Sequence, residues 1–340
     1  MKLLTFHTRA KPDNLRLGAW IGEAVVDLAV ARTWAQGARA LPLEPLPGTS
    51  LELLYAGREA WQYVHRLVQA LEGQQPARLK GAGREPVGYP LADVVLYPPL
   101  PRPSSLRDFY AFEQHVATAH ANRGRPVPEA WYQMPVFYFS NHNAIFSSGE
   151  IVPYPASSQA LDYELEVACV IGKAGRDIRP EEAEEHIFGY TIFNDWSARD
   201  VQREEMRAGL GPAKGKDFAS SLGPWIVTPE ELADRHAGRP GVYDLAMVAR
   251  VNGVERSRGN WRDLHYSFGQ MVARASADTW LLPGDVIGSG TVGTGCLLEL
   301  TKGQGPWLQP GDVVELEVES LGVLRNRVGE RSTKAGTTKA

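Results

Sequence analysis

The chain has 340 residues, enough for one large domain or two smaller ones. With 43% hydrophobic residues, 22% charged residues and a formal net charge of -4, it has the composition of an ordinary globular protein and no charge excess that argues for nucleic acid. No apolar run approaches the roughly 18 residues needed to cross a bilayer, so no membrane partner is expected.

In chain order, short strands are expected at Leu3–His7, Arg16–Ile21 and Ala24–Leu28. The Met1–Ala10 segment lacks the long apolar stretch of a signal peptide. An amphipathic helix follows near 51–71, where Leu53, Leu54, Trp61, Val64, Leu67, Val68 and Leu71 recur at three- and four-residue steps after Ser50. The proline-rich run Tyr97-Pro98-Pro99-Leu100-Pro101-Arg102-Pro103 cannot pair well in a sheet and sets a domain boundary. A small N-terminal α+β domain is therefore expected over 1–97, a catalytic domain over 98–328 and a disordered tail over 329–340.

Beyond the boundary, Leu106–His120 reads as a helix and the turn-rich 121–133 as a mobile loop. Strands are expected around 136–139, 144–146, 161–171, 189–194, 223–227, 245–251, 286–290, 296–301 and 313–319, with helices near 180–187, 197–208 and 262–277. The balance is α+β and β-rich. Cys169 and Cys296 sit in strand-like apolar runs and read as reduced core residues of a cytoplasmic protein.

The most informative stretch is Leu161-Asp162-Tyr163-Glu164-Leu165-Glu166-Val167-Ala168. Strand side chains alternate, so Glu164 and Glu166, with Asp162, are expected on one face of a strand that is otherwise apolar. Burying like charges together costs several kcal/mol unless something neutralises them, and a divalent cation does so. Asp108 opens an aromatic-rich run, and Asp195 closes the apolar run Gly189–Asn194. Four hard oxygen donors suit Mg²⁺, Mn²⁺ or Ca²⁺ rather than zinc. Taken singly, each acid also reads as surface charge, or as a helix cap for Asp195.

His115 follows Asp108 by seven residues, two turns if the segment is helical. Lys214 and Lys216 lie among glycines without the spacing of a phosphate-binding loop; they suit an anionic substrate or a solvated surface. The glycine-dense 288–295 segment is either a bulged turn or a place where backbone approaches a ligand.

With these residues in view, the chain strongly resembles the fumarylacetoacetate hydrolase family from about Arg107 to about Glu319. The resemblance is carried by Arg107-Asp108-Phe109-Tyr110 with His115 beyond, by Leu161–Glu166, by Asn194-Asp195-Trp196-Ser197-Ala198-Arg199-Asp200-Val201-Gln202, by Gly215-Lys216-Asp217-Phe218 and by Ser289-Gly290-Thr291. It implies a mixed β-roll, usually dimeric, with Asp108, Glu164, Glu166 and Asp195 ligating Mg²⁺ or Ca²⁺. It implies that His115, oriented by Glu299, activates water. Arg199, Gln202 and Lys216 match polar residues around the substrate, and Tyr110, Tyr138 and Thr291 match positions that touch it. The chain departs from the fumarylacetoacetate-cleaving enzymes at Met206, where they carry a tyrosine, and at Gly124, where they carry an arginine; Arg123 and Arg125 flank that position. Its N-terminal domain is also shorter.

The function so implied is metal-dependent C–C hydrolysis of a 1,3-diketo acid, fumarylacetoacetate- or acylpyruvate-like, in aromatic-compound catabolism, by a homodimer. Decarboxylation, isomerisation or tautomerisation of a 2-oxo acid on the same scaffold is the first alternative. A metal-stabilised binding protein without turnover is the second.

Overall fold

The computed structural model describes residues 1–331. It is an α+β fold in which two mixed sheets carry most of the chain. The larger has twelve strands, and its centre is the run Lys2–Thr8, Ser220–Val227, Ile187–Asp195, Leu165–Ile171, Asp285–Gly288 and Ser105–Phe109. The smaller orders Val254–Asn260, Ala246–Val251, Val313–Val318, Gly322–Arg331 and Ile151–Tyr154.

The Leu165–Ile171 strand shows why the layers stack as they do. It is buried along its whole length. Its odd-numbered residues, Leu165, Val167, Cys169 and Ile171, share a core with Met247, Leu316 and Leu324 of the smaller sheet. Ala168 and Val170 pack with Leu53, Val64, Leu67 and Leu71 of the N-terminal helix. Period-two alternation thus sends one row of side chains to a sheet and the other to a helical layer. Glu166 continues the even row.

The expected division at 97/98 falls between strands of one continuous sheet, because Lys2–Thr8 pairs with Ser220–Val227 on one side and with Arg16–Ile21 on the other. The Ser50–Leu71 helix begins with a capping box between Thr49 and Glu52 and breaks at Gly57, whose φ is 78°. Trp61 is half-buried, and its Nε1 donates across the break to the Leu53 carbonyl, 2.9 Å. Val64 and Val68 are buried as their spacing predicts.

Four expectations fail locally. Leu106–Phe109 is strand, not helix: Ser105–Phe109 pairs in parallel with Asp285–Gly288 and antiparallel with Phe137–Phe139, and helix starts only at Glu113. The 296–301 run contains a one-turn helix, Leu297–Leu300, where a strand was expected. The 121–133 segment ends in the short helix Glu129–Gln133, anchored by Trp131 Nε1 donating to the Tyr110 carbonyl, 2.7 Å. The Gly322–Arg331 strand occupies 329–331, the start of the expected tail, because its alternate residues Leu324, Asn326 and Val328 face the core. The rest of that tail lies outside the described residues.

Candidate metal centre and active site

Three strands deliver three carboxylates to one place. Asp108 lies near the end of Ser105–Phe109, Glu166 near the start of Leu165–Ile171, and Asp195 at the last position of Ile187–Asp195. Glu164 sits just before its strand begins and takes its backbone position from Asn194, whose Oδ1 accepts the Glu164 N–H at 2.9 Å. Asp108 is held by the glycine-dense segment. Gly290 N donates to Asp108 Oδ1, 3.1 Å, with Gly290 at φ 76°, and a Cβ at Gly288 would stand 2.5 Å from the same oxygen. Glycine there admits the carboxylate.

Oxygens of Asp108, Glu164 and Glu166 lie within 4.8 Å of one another. Lys216 links Asp195 to this group: its Nζ donates to Asp195 Oδ2, 2.6 Å, and to Glu164 Oε2. The Tyr138 hydroxyl also donates to Asp195. Arg199 Nη2 lies 2.8 Å from Glu164 Oε1.

The electrostatics show a deficit of positive charge. Burial, then Asp195, pushes Asp108 up to about 8, and burial pushes Asp195 up to about 6. Glu166 is raised well above its ordinary value by burial and by Asp108. Burial would raise Glu164 too, but Lys216 and Arg199 outweigh it and hold this carboxyl below the usual range. Two buried oxygens, Glu166 Oε2 and Asp195 Oδ1, accept no hydrogen bond among the described residues. Four buried carboxylates face two cations, and Arg199 is shared with Asp162. Unpaired buried anions of this kind are costly, and orphaned hard oxygens beside them fit a divalent cation.

The opposite wall is built from short helices. His115, on the Glu113–Ala121 helix, places Nδ1 2.5 Å from Glu299 Oε1 on the Leu297–Leu300 turn. Thr294 N donates to Glu299 Oε2, 3.1 Å, and the Tyr110 ring meets His115 edge-on at 5.3 Å. His115 Nε2 has no protein hydrogen-bond partner among the described residues.

Asp162 was expected on the face of Glu164 and Glu166. The chain bends between Asp162 and Leu165, and Asp162 pairs in a separate two-stranded ladder with Ser197–Ala198. Its buried carboxylate accepts from Leu297 N, 2.8 Å, and Leu298 N, 3.0 Å, capping the turn that carries Glu299, and from Arg199 Nε, 2.8 Å. One side chain thus ties the turn bearing Glu299 to the arginine beside Glu164. The acid is visible in the sequence; the bend that redirects it is not.

Both walls line one cavity of about 470 Å³. Tyr110, Tyr138, Thr291, Gln202, Arg199 and Lys216 all border it. Gln202 Oε1 accepts from Arg199 Nη1, 3.1 Å, and its amide N–H groups have no protein acceptor among the described residues. Thr291 Oγ1 is 3.4 Å from Glu166 Oε1. Tyr138, expected at the substrate, donates to Asp195, and Arg199 is turned to Asp162, Glu164 and Gln202. Met206, Arg123 and Arg125 border the same space. Of the expected site residues, Glu299 and Asp195 are not among those lining the cavity; Glu299 meets it through His115, and Asp195 lies behind Lys216 and Tyr138, which both bond to it.

A buried carboxylate cluster faces a histidine–glutamate pair across one cavity of an α+β fold, the arrangement of an enzyme site, and the comparisons identify the enzyme family. Residues 105–329 match the family model for the fumarylacetoacetate (FAA) hydrolase C-terminal domain, and the chain belongs to that family. It is 30% identical to a fumarylacetoacetase of Oryza sativa over 295 residues, 72% of this chain and 68% of the relative. It is 28% identical to the oxaloacetate tautomerase YisK of Bacillus subtilis over 311 residues, 90% of this chain and 93% of the relative. Its fold matches the solved structure of maleylpyruvate hydrolase from Sphingobium sp. SYK-6 in complex with manganese(II) and pyruvate, with TM-score 0.65 and 24% identity, over 98% of this chain and all of that one. The family therefore holds both hydrolases and tautomerases. No helix among the described residues is long and apolar enough to cross a membrane.

Proposed function

We propose that this chain hydrolyses a C–C bond in a 1,3-diketo acid, with Mg²⁺, Mn²⁺ or Ca²⁺ held by Asp108, Glu164, Glu166 and Asp195. The observation that carries the reading is the His115–Glu299 pair, 2.5 Å apart on the wall of the cavity that also meets the carboxylate cluster. A divalent cation there supplies Lewis-acid polarisation of a carbonyl and stabilises developing enolate charge. Glu299 accepts from Nδ1–H of neutral His115, which leaves Nε2 to take a proton from water. General bases of this kind contribute roughly 10²–10⁴-fold in rate. Gln202 keeps free amide donors for a developing oxyanion, and Lys216 adds positive charge beside it. Arg199, hydrogen-bonded to Asp162 and ion-paired with Glu164, braces the ligands. Tyr110 and Thr291 shape the substrate site.

A second reading has support in the tautomerase relative, which spans more of the chain than the fumarylacetoacetase does. Tautomerisation or decarboxylation of a 2-oxo acid uses the enolate step without hydrolytic water. Turnover of acylpyruvates, fumarylacetoacetate and oxaloacetate, each with and without Mg²⁺ or Mn²⁺, separates the two. Cleavage of a diketo acid supports hydrolysis; turnover of oxaloacetate alone moves the assignment to the second reading, and turnover of none favours a binding protein. The homodimer, the cytoplasmic setting, a role in aromatic catabolism and a supporting part for residues 1–97 belong to this proposal. A monomer mass by light scattering contradicts the dimer.

A further inference from the structure

A ring nitrogen of His115, a carboxylate oxygen of Glu299 and the Cys296 Sγ lie within 4.8 Å of one another, and all three residues are buried. Cys296 Sγ is 3.7 Å from Glu299 Oε1. Nothing in the proposed hydrolysis uses this thiol. Imidazole, thiolate and carboxylate form a softer donor set than the four carboxylates across the cavity. It matches zinc, which takes His at about 2.0–2.1 Å, Cys at about 2.3 Å and carboxylate oxygen at about 2.0–2.2 Å. The charge also balances: one thiolate and one carboxylate neutralise a dication in a buried place, where an unbalanced ion is costly.

We propose that His115, Cys296 and Glu299 form a second, inhibitory metal site selective for Zn²⁺ over Mg²⁺. His115 borders the cavity, so an ion entering from it meets the imidazole first. To admit the ion, the 2.5 Å contact between His115 and Glu299 opens by about 1 Å, given those bond lengths. Zinc forms bonds to Nδ1, Sγ and a Glu299 oxygen. The Cys296 S–H bond breaks and its proton leaves to solvent. The proton formerly on Nδ1 moves to Nε2, and no electron is transferred. The consequence is specific: with the metal on Nδ1 and the proton on Nε2, the ring has no lone pair left for water. Ions at the carboxylate cluster are untouched. The expected inhibition rests on the reading of His115 as the base; the binding itself does not.

The test uses the purified Mg²⁺-loaded protein. Co²⁺ added as a spectroscopic probe is expected to give a thiolate-to-cobalt charge-transfer band in the near ultraviolet, which Zn²⁺ abolishes and excess Mg²⁺ does not. Zn²⁺ is expected to suppress turnover of an accepted substrate at saturating Mg²⁺. Cys296→Ser is expected to keep Mg²⁺-supported turnover within a few-fold, to lose the band, and to need at least tenfold more Zn²⁺ for the same inhibition. Equal zinc sensitivity in wild type and Cys296→Ser overturns the proposal, because zinc then acts at the carboxylates. Absence of the thiolate band in the wild-type protein overturns it without any variant, even if Cys296→Ser fails to fold. A band without inhibition retains the site and removes the base role of His115, so failure of the site and failure of the hydrolase reading are told apart.

Discussion

The two walls of the cavity are made of different backbone. The carboxylate wall rests on inner strands of a twelve-stranded sheet, each paired on both sides, so Asp108, Glu166 and Asp195 have little freedom to move. The histidine wall rests on a nine-residue helix and a single turn, joined by one hydrogen bond between residues 184 apart in sequence. On the proposed function, a rigid wall suits groups that share a cation at fixed distances, and a lighter wall suits a base that approaches substrate and lets it go. Asp162 is the side chain that touches both.

The carboxylate wall itself divides, and this gives the largest expected effects. Glu164→Gln removes the partner of Lys216 and Arg199. It is expected to abolish turnover, to abolish the Mg²⁺-induced rise in melting temperature, and to lower the stability of the EDTA-treated protein by several kcal/mol, the scale for breaking a buried pair (about 3–5 kcal/mol). Glu166→Gln also abolishes turnover and the Mg²⁺ shift, but raises the melting temperature in EDTA, because it removes a buried carboxyl that burial and Asp108 force to take up a proton on folding. Differential scanning fluorimetry with and without Mg²⁺ reads both. The same sign in EDTA for the two variants breaks the proposed charge deficit.

The pH dependence follows from the same wall. Asp108 and Asp195 are raised in the folded protein to about 8 and about 6, against about 3.9 for an unfolded aspartate. A raised carboxyl favours folding fully below its unfolded pKa, and that contribution is lost as pH rises through the folded value. Glu164, held low, acts oppositely, but only where pH falls below the usual glutamate range. EDTA-treated protein is therefore expected to lose melting temperature between about pH 4 and pH 8, and Mg²⁺ to restore more of it at the upper end, since the ligands bind deprotonated. A flat profile without metal contradicts the shifts.

A smaller effect is expected at the tie between the walls. Asp162→Asn keeps shape but removes the charge facing Arg199 and one acceptor of the Leu297–Leu298 cap. Turnover is expected to fall about tenfold or more through kcat, with a stability loss of about 1–3 kcal/mol, the cost of unsatisfied buried partners. Steady-state kinetics in which KM alone changes would count against the tie. Smallest for activity is Leu67→Ala in the N-terminal helix: about 2–5 kcal/mol of stability is lost, with kcat unchanged at temperatures where the protein stays folded.

The carboxylate wall was the legible one. Glu164 and Glu166 stand out against an apolar strand, and Asp108 and Asp195 mark ends of apolar runs. The histidine wall depends on long-range contacts that no local pattern carries. Cys296–Thr301 has the apolar density of a strand, yet the Asp162 carboxylate caps Leu297 and Leu298 into a turn from 135 residues away. Leu106–Phe109 has no strand alternation because neighbours on both sides bury every one of its residues. Gly322–Arg331, by contrast, alternates openly; it is absent from the expected strands, and its last three residues fall in the expected tail. The histidine–glutamate pair was named through family resemblance, since nothing in the spacing of His115 and Glu299 joins them.

The most direct test of the two-wall account is His115→Ala, assayed for cleavage of an accepted acylpyruvate and, in the same preparation, for Mg²⁺ binding by calorimetry. The account predicts hydrolysis reduced by about 10²-fold or more, the scale of general-base catalysis, with Mg²⁺ affinity unchanged because the histidine stands on the other wall. Near-normal hydrolysis, or loss of Mg²⁺ binding along with it, would contradict the account.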